Sequence, residues 1–202
     1  EQVGEPRISI RLDDDARTLT IEDNGIGMTR AEVVQNLGTI ARSGSLEFLK
    51  SHAEALKNKD AALQLIGQFG VGFYAAFMVA SRVDVKTRSM LPGAEPVLWR
   101  STGAGTFTVA PGDREAPGTE IVLHLKEECR EYAKAWRVRD VIRKYSDFVQ
   151  HPIYLDGEVA NRSKALWAMP RSQVTEEQHL EFYRHVTNAL AHLPGAWRVR
   201  IE

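Results

Sequence analysis

The sequence has a single cysteine, Cys129, in 202 residues. No intramolecular disulfide can form, and a Cys-rich zinc site is excluded. A reducing, cytoplasmic setting fits that usage. Long apolar runs are also missing; none approaches the roughly 20 residues that a membrane span needs. The N-terminus lacks the basic, then apolar, then small-residue order of a secretory signal. Neither sign of charge is in excess. Lys and Arg number 26 against 27 Asp and Glu, a formal net charge of −1. That balance excludes a generally basic nucleic-acid binder, though not a local basic patch. The opening residues, Glu1-Gln2-Val3-Gly4-Glu5-Pro6, contain no Met and run straight into a strand pattern, so the sequence reads as a piece of something longer.

What is present is ordinary globular material. Hydrophobic residues make up 43% and charged residues 26%. A chain of this size buries about 70% of the surface it exposes when unfolded, so it needs no covalent staple. Ile8, Ile10 and Leu12 alternate with polar residues, as do Leu19 and Ile21, and the pair predicts a hairpin. Thr29-Arg30-Ala31-Glu32 has the form of a capping box and opens a short helix through Asn36. Phe73 to Ala80 is apolar on nearly all sides and predicts a buried helix. Strands are expected at 82–88, 97–101, 105–110 and 119–125, separated by Pro-Gly and Thr-Gly turns. A helix over about 129–148 carries an apolar stripe of Val138, Val141, Ile142, Tyr145 and Phe148. Ile153-Tyr154-Leu155 is a last strand, ending in an Asp156-Gly157 turn. Several strands in succession, mixed with helices, predict an α+β fold.

Two Gly-rich segments carry the chemistry. In Asp23-x-Gly25-x-Gly27 a carboxylate ends a strand, and the glycines permit close backbone approach or positive φ. A buried carboxylate needs donors, and the exocyclic amine of a purine is one. In Gly67-x-Phe69-Gly70-x-Gly72-Phe73 the glycines lead into a helix, whose free N–H groups suit phosphate oxygens. Together they suggest a nucleotide, base at Asp23 and phosphates at Gly70 to Phe73. Each segment alone also describes an ordinary turn. No Lys-Ser/Thr follows the second, so it is not a Walker loop, and its spacing is not that of a dinucleotide fingerprint. Phe69, Phe73 and Phe77 read as core more than as ligand contacts. The histidines show no metal spacing. Glu22, beside Asp23 on a strand, points to the opposite face and does not form a catalytic pair with it.

With these segments in view, the sequence resembles the heat-shock protein 90 chaperone family, in its bacterial form. Asp23-Asn24-Gly25-Ile26-Gly27-Met28 is similar to that family's adenine motif, and Leu37 to Ser45 to the start of its ATP lid. Ile66 to Tyr74 resembles its phosphate motif, and Gly118-Thr119-Glu120-Ile121 the strand carrying its nucleotide-site threonine. Tyr145 to Phe148 and Pro152 to Leu155 resemble the end of its N-terminal domain, and Ala165-Leu166-Trp167 the opening of its middle domain. The likeness runs from about residue 7 to about residue 187, with a tail that reads differently.

The resemblance implies a two-layer α/β sandwich with a mixed, largely antiparallel sheet, the ATPase domain shared with gyrase, histidine kinases and mismatch-repair ATPases. It implies residues 1–160 as an ATP-binding domain lacking its first helices, with a lid at about 37–67, and 161–202 as the start of a middle domain. ATP or ADP is the implied ligand, with Mg²⁺ in the intact protein. Asp23 and Thr119 would meet the adenine, Gly27 and Met28 would line its pocket, and Asn36 and Leu37 would lie by the sugar-phosphate region. Gly70, Val71, Gly72 and Phe73 would present amides to the phosphates, and Arg42 and Ser43 would reach them from the lid. Implied partners are unfolded client proteins and a second copy of the protein, with no nucleic acid and no membrane. The implied function is that of an ATP-dependent, stress-responsive chaperone working as a dimeric clamp. The family's catalytic glutamate and its Mg²⁺-holding asparagine belong to a helix before the first hairpin, upstream of residue 1. The chain by itself is therefore expected not to hydrolyse ATP at a family-like rate. The other readings are a histidine kinase, a DNA-acting ATPase or a non-catalytic nucleotide-sensing module. The kinase would require a phosphoacceptor helix that is not evident, and the DNA-acting enzyme a basic surface.

Overall fold

A computed structural model describes residues 4–38 and 72–162. The lid stretch beyond Gly38, Arg42, Ser43, Gly70, Val71 and the segment from 163 onward lie outside the described residues. The described strands form an eight-stranded sheet. In chain order they are β1 (Ile8–Asp13), β2 (Thr18–Asp23), β3 (Ala80–Arg88), β4 (Val97–Ser101), β5 (Phe107–Pro111), β6 (Gly118–Leu125), β7 (Ile153–Leu155) and β8 (Glu158–Val159). Their spatial order is β5-β4-β3-β6-β2-β1-β7-β8. Every neighbouring pair is antiparallel except β1 with β7, which is parallel. The mixed, largely antiparallel sheet is thus as expected, and the four middle strands fall within two residues of their predicted bounds.

Alternation along the strands sorts the two faces. Ile10, Leu19, Val83, Val85, Val97, Trp99, Leu123 and Leu125 are buried on the core face. A register shift between Ala80 and Arg82 lets Ala80 join them. Between these residues, Arg11, Glu22, Arg82, Asp84, Arg100, Glu120 and His124 occupy the other face, which is held by ion pairs. Asp84 receives two hydrogen bonds of 2.8 Å from Arg100 and lies 3.2 Å from Arg82 Nε. Arg11 spans Glu22 and Glu120 at 2.6 and 2.7 Å.

The helices are short. α1 (Arg30–Leu37) starts from a complete capping box: the Thr29 hydroxyl accepts from Glu32 N, and the Glu32 carboxylate accepts from Thr29 N at 2.7 Å. Only Val33 of α1 is fully buried. The expected buried helix at Phe73–Ala80 differs. A 3₁₀ turn (Gly72–Ala75) leads to a single α turn, α2 (Ala76–Val79), and Ala80 already belongs to β3. None of α2 is fully buried, and Met78 is 75% exposed. An octapeptide apolar on all sides has no helical period of its own, and pairing with β6 draws its end into the sheet. The expected 129–148 helix is divided as well, into a 3₁₀ stretch (Glu127–Ala133) and α3 (Ala135–Tyr145), with Lys134 extended between them. Val138 and Ile142 are buried as the stripe requires, whereas Tyr145 is 72% exposed and lies beside Lys144. The Asp156-Gly157 turn has φ of 49° and 89°, the pair of left-handed conformations that a two-residue hairpin uses.

Candidate functional site

β2, β6 and β3 are neighbours, and their register sets three side chains in one row. Asp23 pairs with Thr119, and Thr119 pairs with Thr87. Residues opposite one another in register share a face, and this is the core face at the end of the sheet where β2 stops. Thr87 is completely buried and Thr119 nearly so. Their hydroxyl oxygens lie 3.1 Å apart. Thr87 Oγ1 also accepts from Met28 N at 3.0 Å and donates to Gly118 O at 3.0 Å.

The loop after β2 is fastened over this row. Asp23 Oδ1 accepts from Gly25 N at 2.9 Å, an Asx-type turn. Ile26 O accepts from Met90 N at 2.8 Å. Gly27 has φ +62°, and a Cβ there would lie 1.9 Å from Arg88 O. Only glycine fits that position, on both conformational and steric grounds. Gly118, with φ +121°, has the same constraint: its Cβ would meet Asp23 O at 2.3 Å. Arg114 reaches round from the opposite face, donating to Asp23 O at 3.2 Å and to Glu22 at 3.0 Å. Burial works to raise the Glu22 carboxyl, but hydrogen bonds from Arg11 and Arg114 outweigh it and hold the group below its ordinary value. Glu22, on the opposite face of β2 from Asp23, thus stays an ionised structural partner of Arg11 and Arg114.

A second cluster lies at the end of α1. Tyr74 Oη donates to Leu37 O at 3.0 Å, which ties the 3₁₀ turn containing Gly72 and Phe73 to the helix end. Burial pushes the Tyr74 phenol up. Phe73 stands edge-on to Trp99 at 5.5 Å, and Trp99 stacks on Phe107 at 5.9 Å. Phe73 and Phe77 are partly buried against the core, in keeping with their reading as core residues. Asn36 Oδ1 is buried with no hydrogen-bond partner among the described residues. Such an atom calls for a donor.

These features suit a purine nucleotide. The one hydrogen bond that the described residues give Asp23's carboxylate goes to Oδ1, leaving Oδ2 for an amine. The partly buried Met28 and the Asn36 oxygen, unpartnered among the described residues, supply an apolar wall and a polar contact, while Gly27 lets the loop pack against Arg88 and Gly118 backbone. Among the described residues no cluster of His, Cys, Asp or Glu is arranged to hold a metal ion. Of the predicted site, Asp23, Gly27, Met28 and Thr119 come together in the first cluster; in the second, the Tyr74–Leu37 bond brings the turn that holds Gly72 and Phe73 to the end of the helix that carries Asn36. Thr87 and Arg114 were missed. A threonine in an alternating strand carries no local signal, and only its register with Thr119 exposes it.

Residues 5–92 match the family described as histidine kinase-, DNA gyrase B-, and HSP90-like ATPase. Match and sheet together define the class: an α+β ATPase domain of that superfamily. Its curated relatives narrow this. The chain is 52% identical over 182 residues to the chaperone protein HtpG of Desulfotalea psychrophila, covering 90% of this chain and 29% of that protein. It is 51% identical over 183 residues to the mitochondrial heat shock protein 75 kDa of Bos taurus, covering 90% of this chain and 26% of that one. With HtpG of Myxococcus xanthus the identity is 46% over 211 residues, 96% of this chain and 32% of the relative. The chain is similar to members of the heat-shock protein 90 family, the bacterial HtpG proteins among them. It spans about three tenths of the length of these relatives. The match to the Myxococcus protein leaves out 4% of 202 residues, about eight, so the likeness passes residue 187 rather than ending there.

Proposed function

We propose that this chain is the nucleotide-binding portion of an ATP-dependent chaperone. The observation that carries the reading is the Asp23–Thr119–Thr87 row closed over by Gly27. In this reading Asp23 accepts the 6-amino group of adenine, and a charge-assisted bond of that kind gives both affinity and orientation. Gly27 lets the loop after β2 lie close against Arg88 and so shapes the base pocket, and Met28 excludes water from the base's edge. Asn36 and Leu37 face the sugar-phosphate region. Gly72 and Phe73, with Gly70 and Val71 just outside the described residues, offer amides to the phosphates. Arg42 and Ser43, also outside them, belong to a lid of about 37–67.

Residues 1–160 act as the ATP-binding domain, and 161–202 begin the middle domain. Hydrolysis and client handling belong to the longer protein. Relatives named chaperone and heat shock protein support that assignment. Mg²⁺ would neutralise phosphate charge when bound. The general base is not Glu22, which is engaged by Arg11 and Arg114 on the far face. Two copies joined as a clamp, acting on unfolded clients in the cytoplasm, complete the proposal. The test uses the intact protein and an aggregating client enzyme. ATP should suppress light scattering, and a non-hydrolysable analogue should not sustain the effect over repeated cycles. Suppression indifferent to nucleotide would contradict it.

A further inference from the structure

Three short contacts converge on the Thr87 hydroxyl, and each needs one proton. Met28 N lies at 3.0 Å, Gly118 O at 3.0 Å and Thr119 Oγ1 at 3.1 Å. Three protons are available: one on Met28 N, one on the Thr87 hydroxyl and one on the Thr119 hydroxyl. Met28 N can only donate, and it fills the first contact. Gly118 O carries no proton, so the Thr87 proton must go to it. The contact between the two hydroxyls is then filled only if Thr119 donates to Thr87. Any other assignment leaves two bare oxygens about 3 Å apart in a site from which water is excluded, and unpaired buried polar groups are costly.

We infer that Thr87 is a positioning residue that turns the Thr119 proton away from the ligand, so that Asp23 and Thr119 together present only acceptors to the base. The inference rests on the nucleotide reading above and deepens it to a choice of base. A 6-aminopurine brings two N–H donors to that edge. A 6-oxopurine puts a carbonyl oxygen in place of that amine, against the Asp23 and Thr119 acceptors, and its one N–H lies on the neighbouring ring nitrogen instead. Sites built around directed hydrogen bonds reject the mismatched group far more strongly than apolar pockets reject a change of size. Thr87 touches no ligand in this scheme. It acts through Thr119, and its own burial keeps water from taking its place.

The experiment compares ADP with IDP by calorimetry on the full chain, in wild type, Thr87→Val and Thr87→Ser. Wild type should favour ADP. Thr87→Val keeps the shape and removes the acceptor, freeing the Thr119 proton to point either way. The ADP:IDP affinity ratio should fall about tenfold, the scale of one directed hydrogen bond. Thr87→Ser restores the hydroxyl and should bring the ratio back. Equal weakening of both nucleotides in Thr87→Val, with the ratio kept, would mean a structural role only and would overturn the inference while leaving the nucleotide reading intact. Failure of wild type to bind either nucleotide would remove that reading, and this inference with it. Should Thr87→Val not fold, proton NMR on wild type decides. A slowly exchanging Thr119 hydroxyl proton with a cross-peak to Thr87 supports the relay, and a Thr119 hydroxyl exchanging freely with solvent refutes it.

Discussion

Gly27→Ala and Gly93→Ala form a matched pair of perturbations. Both glycines have left-handed backbone, at φ +62° and +74°. A methyl carbon added at Gly93 would have nothing within 4 Å, whereas at Gly27 it would sit 1.9 Å from Arg88 O and 2.6 Å from Arg88 C. The left-handed conformation alone costs an alanine about 1–2 kcal/mol. That is the whole effect expected at Gly93. At Gly27 the obstruction is backbone of the central strand β3, which cannot rotate aside, so the loop must lift. Lifting it breaks the Met28 N–Thr87 and Ile26 O–Met90 N hydrogen bonds, each worth about 1 kcal/mol. The sum is about 3–4 kcal/mol. At roughly 2–4 °C per kcal/mol, Gly27→Ala should lower Tm by about 6–16 °C and Gly93→Ala by about 2–8 °C. Scanning fluorimetry of the two variants beside wild type measures both. ADP binding should survive Gly93→Ala and be lost in Gly27→Ala. Equal Tm losses would refute the reasoning, because they would show that positive φ alone, and not closeness to Arg88, fixes glycine at position 27.

The polar face of the sheet predicts an acid limb. Burial works to raise the Asp84 carboxyl, but Arg100, Arg82 and His124 outweigh it and hold the group below its ordinary 3.8. A carboxyl depressed in the folded state stabilises above its unfolded value and loses that contribution as pH falls through the lower folded one. The urea midpoint of wild type should therefore drop below pH 3.8, and that of Asp84→Asn should be lower at pH 7 but flatter across the same window. At α1, Thr29→Ala removes a complete capping box and should cost about 1 kcal/mol. Urea denaturation detects a loss of that size, and ADP affinity should change little.

Much of the fold is legible locally. Alternation marks β1 and β2, Pro-Gly and Thr-Gly turns separate β3 to β6, and Asp156-Gly157 announces the last hairpin. What escapes the sequence is set by distant contacts. Phe73 to Ala80 is uniformly apolar, so its period cannot tell a helix from the entrance to a strand, and β6 decides. Tyr145 lies on the predicted stripe but at the last turn of α3, where the face has run past the core. The site follows the same division. Asp23 and the glycines are visible because glycine beside a carboxylate is an unusual local pattern. Thr87 is invisible because 32 residues separate it from Thr119 and only strand register joins them.

The adenine contact at Asp23 is tested most directly by calorimetric titration of ADP into wild type and Asp23→Asn. Asparagine keeps the shape and the Oδ1 turn to Gly25 but removes the charge. Losing a charge-assisted hydrogen bond of about 1.5–3 kcal/mol corresponds to a ten- to hundredfold weaker Kd. That loss, with Tm nearly unchanged, is the expected result; equal ADP affinity in the two proteins would take Asp23 out of the nucleotide site.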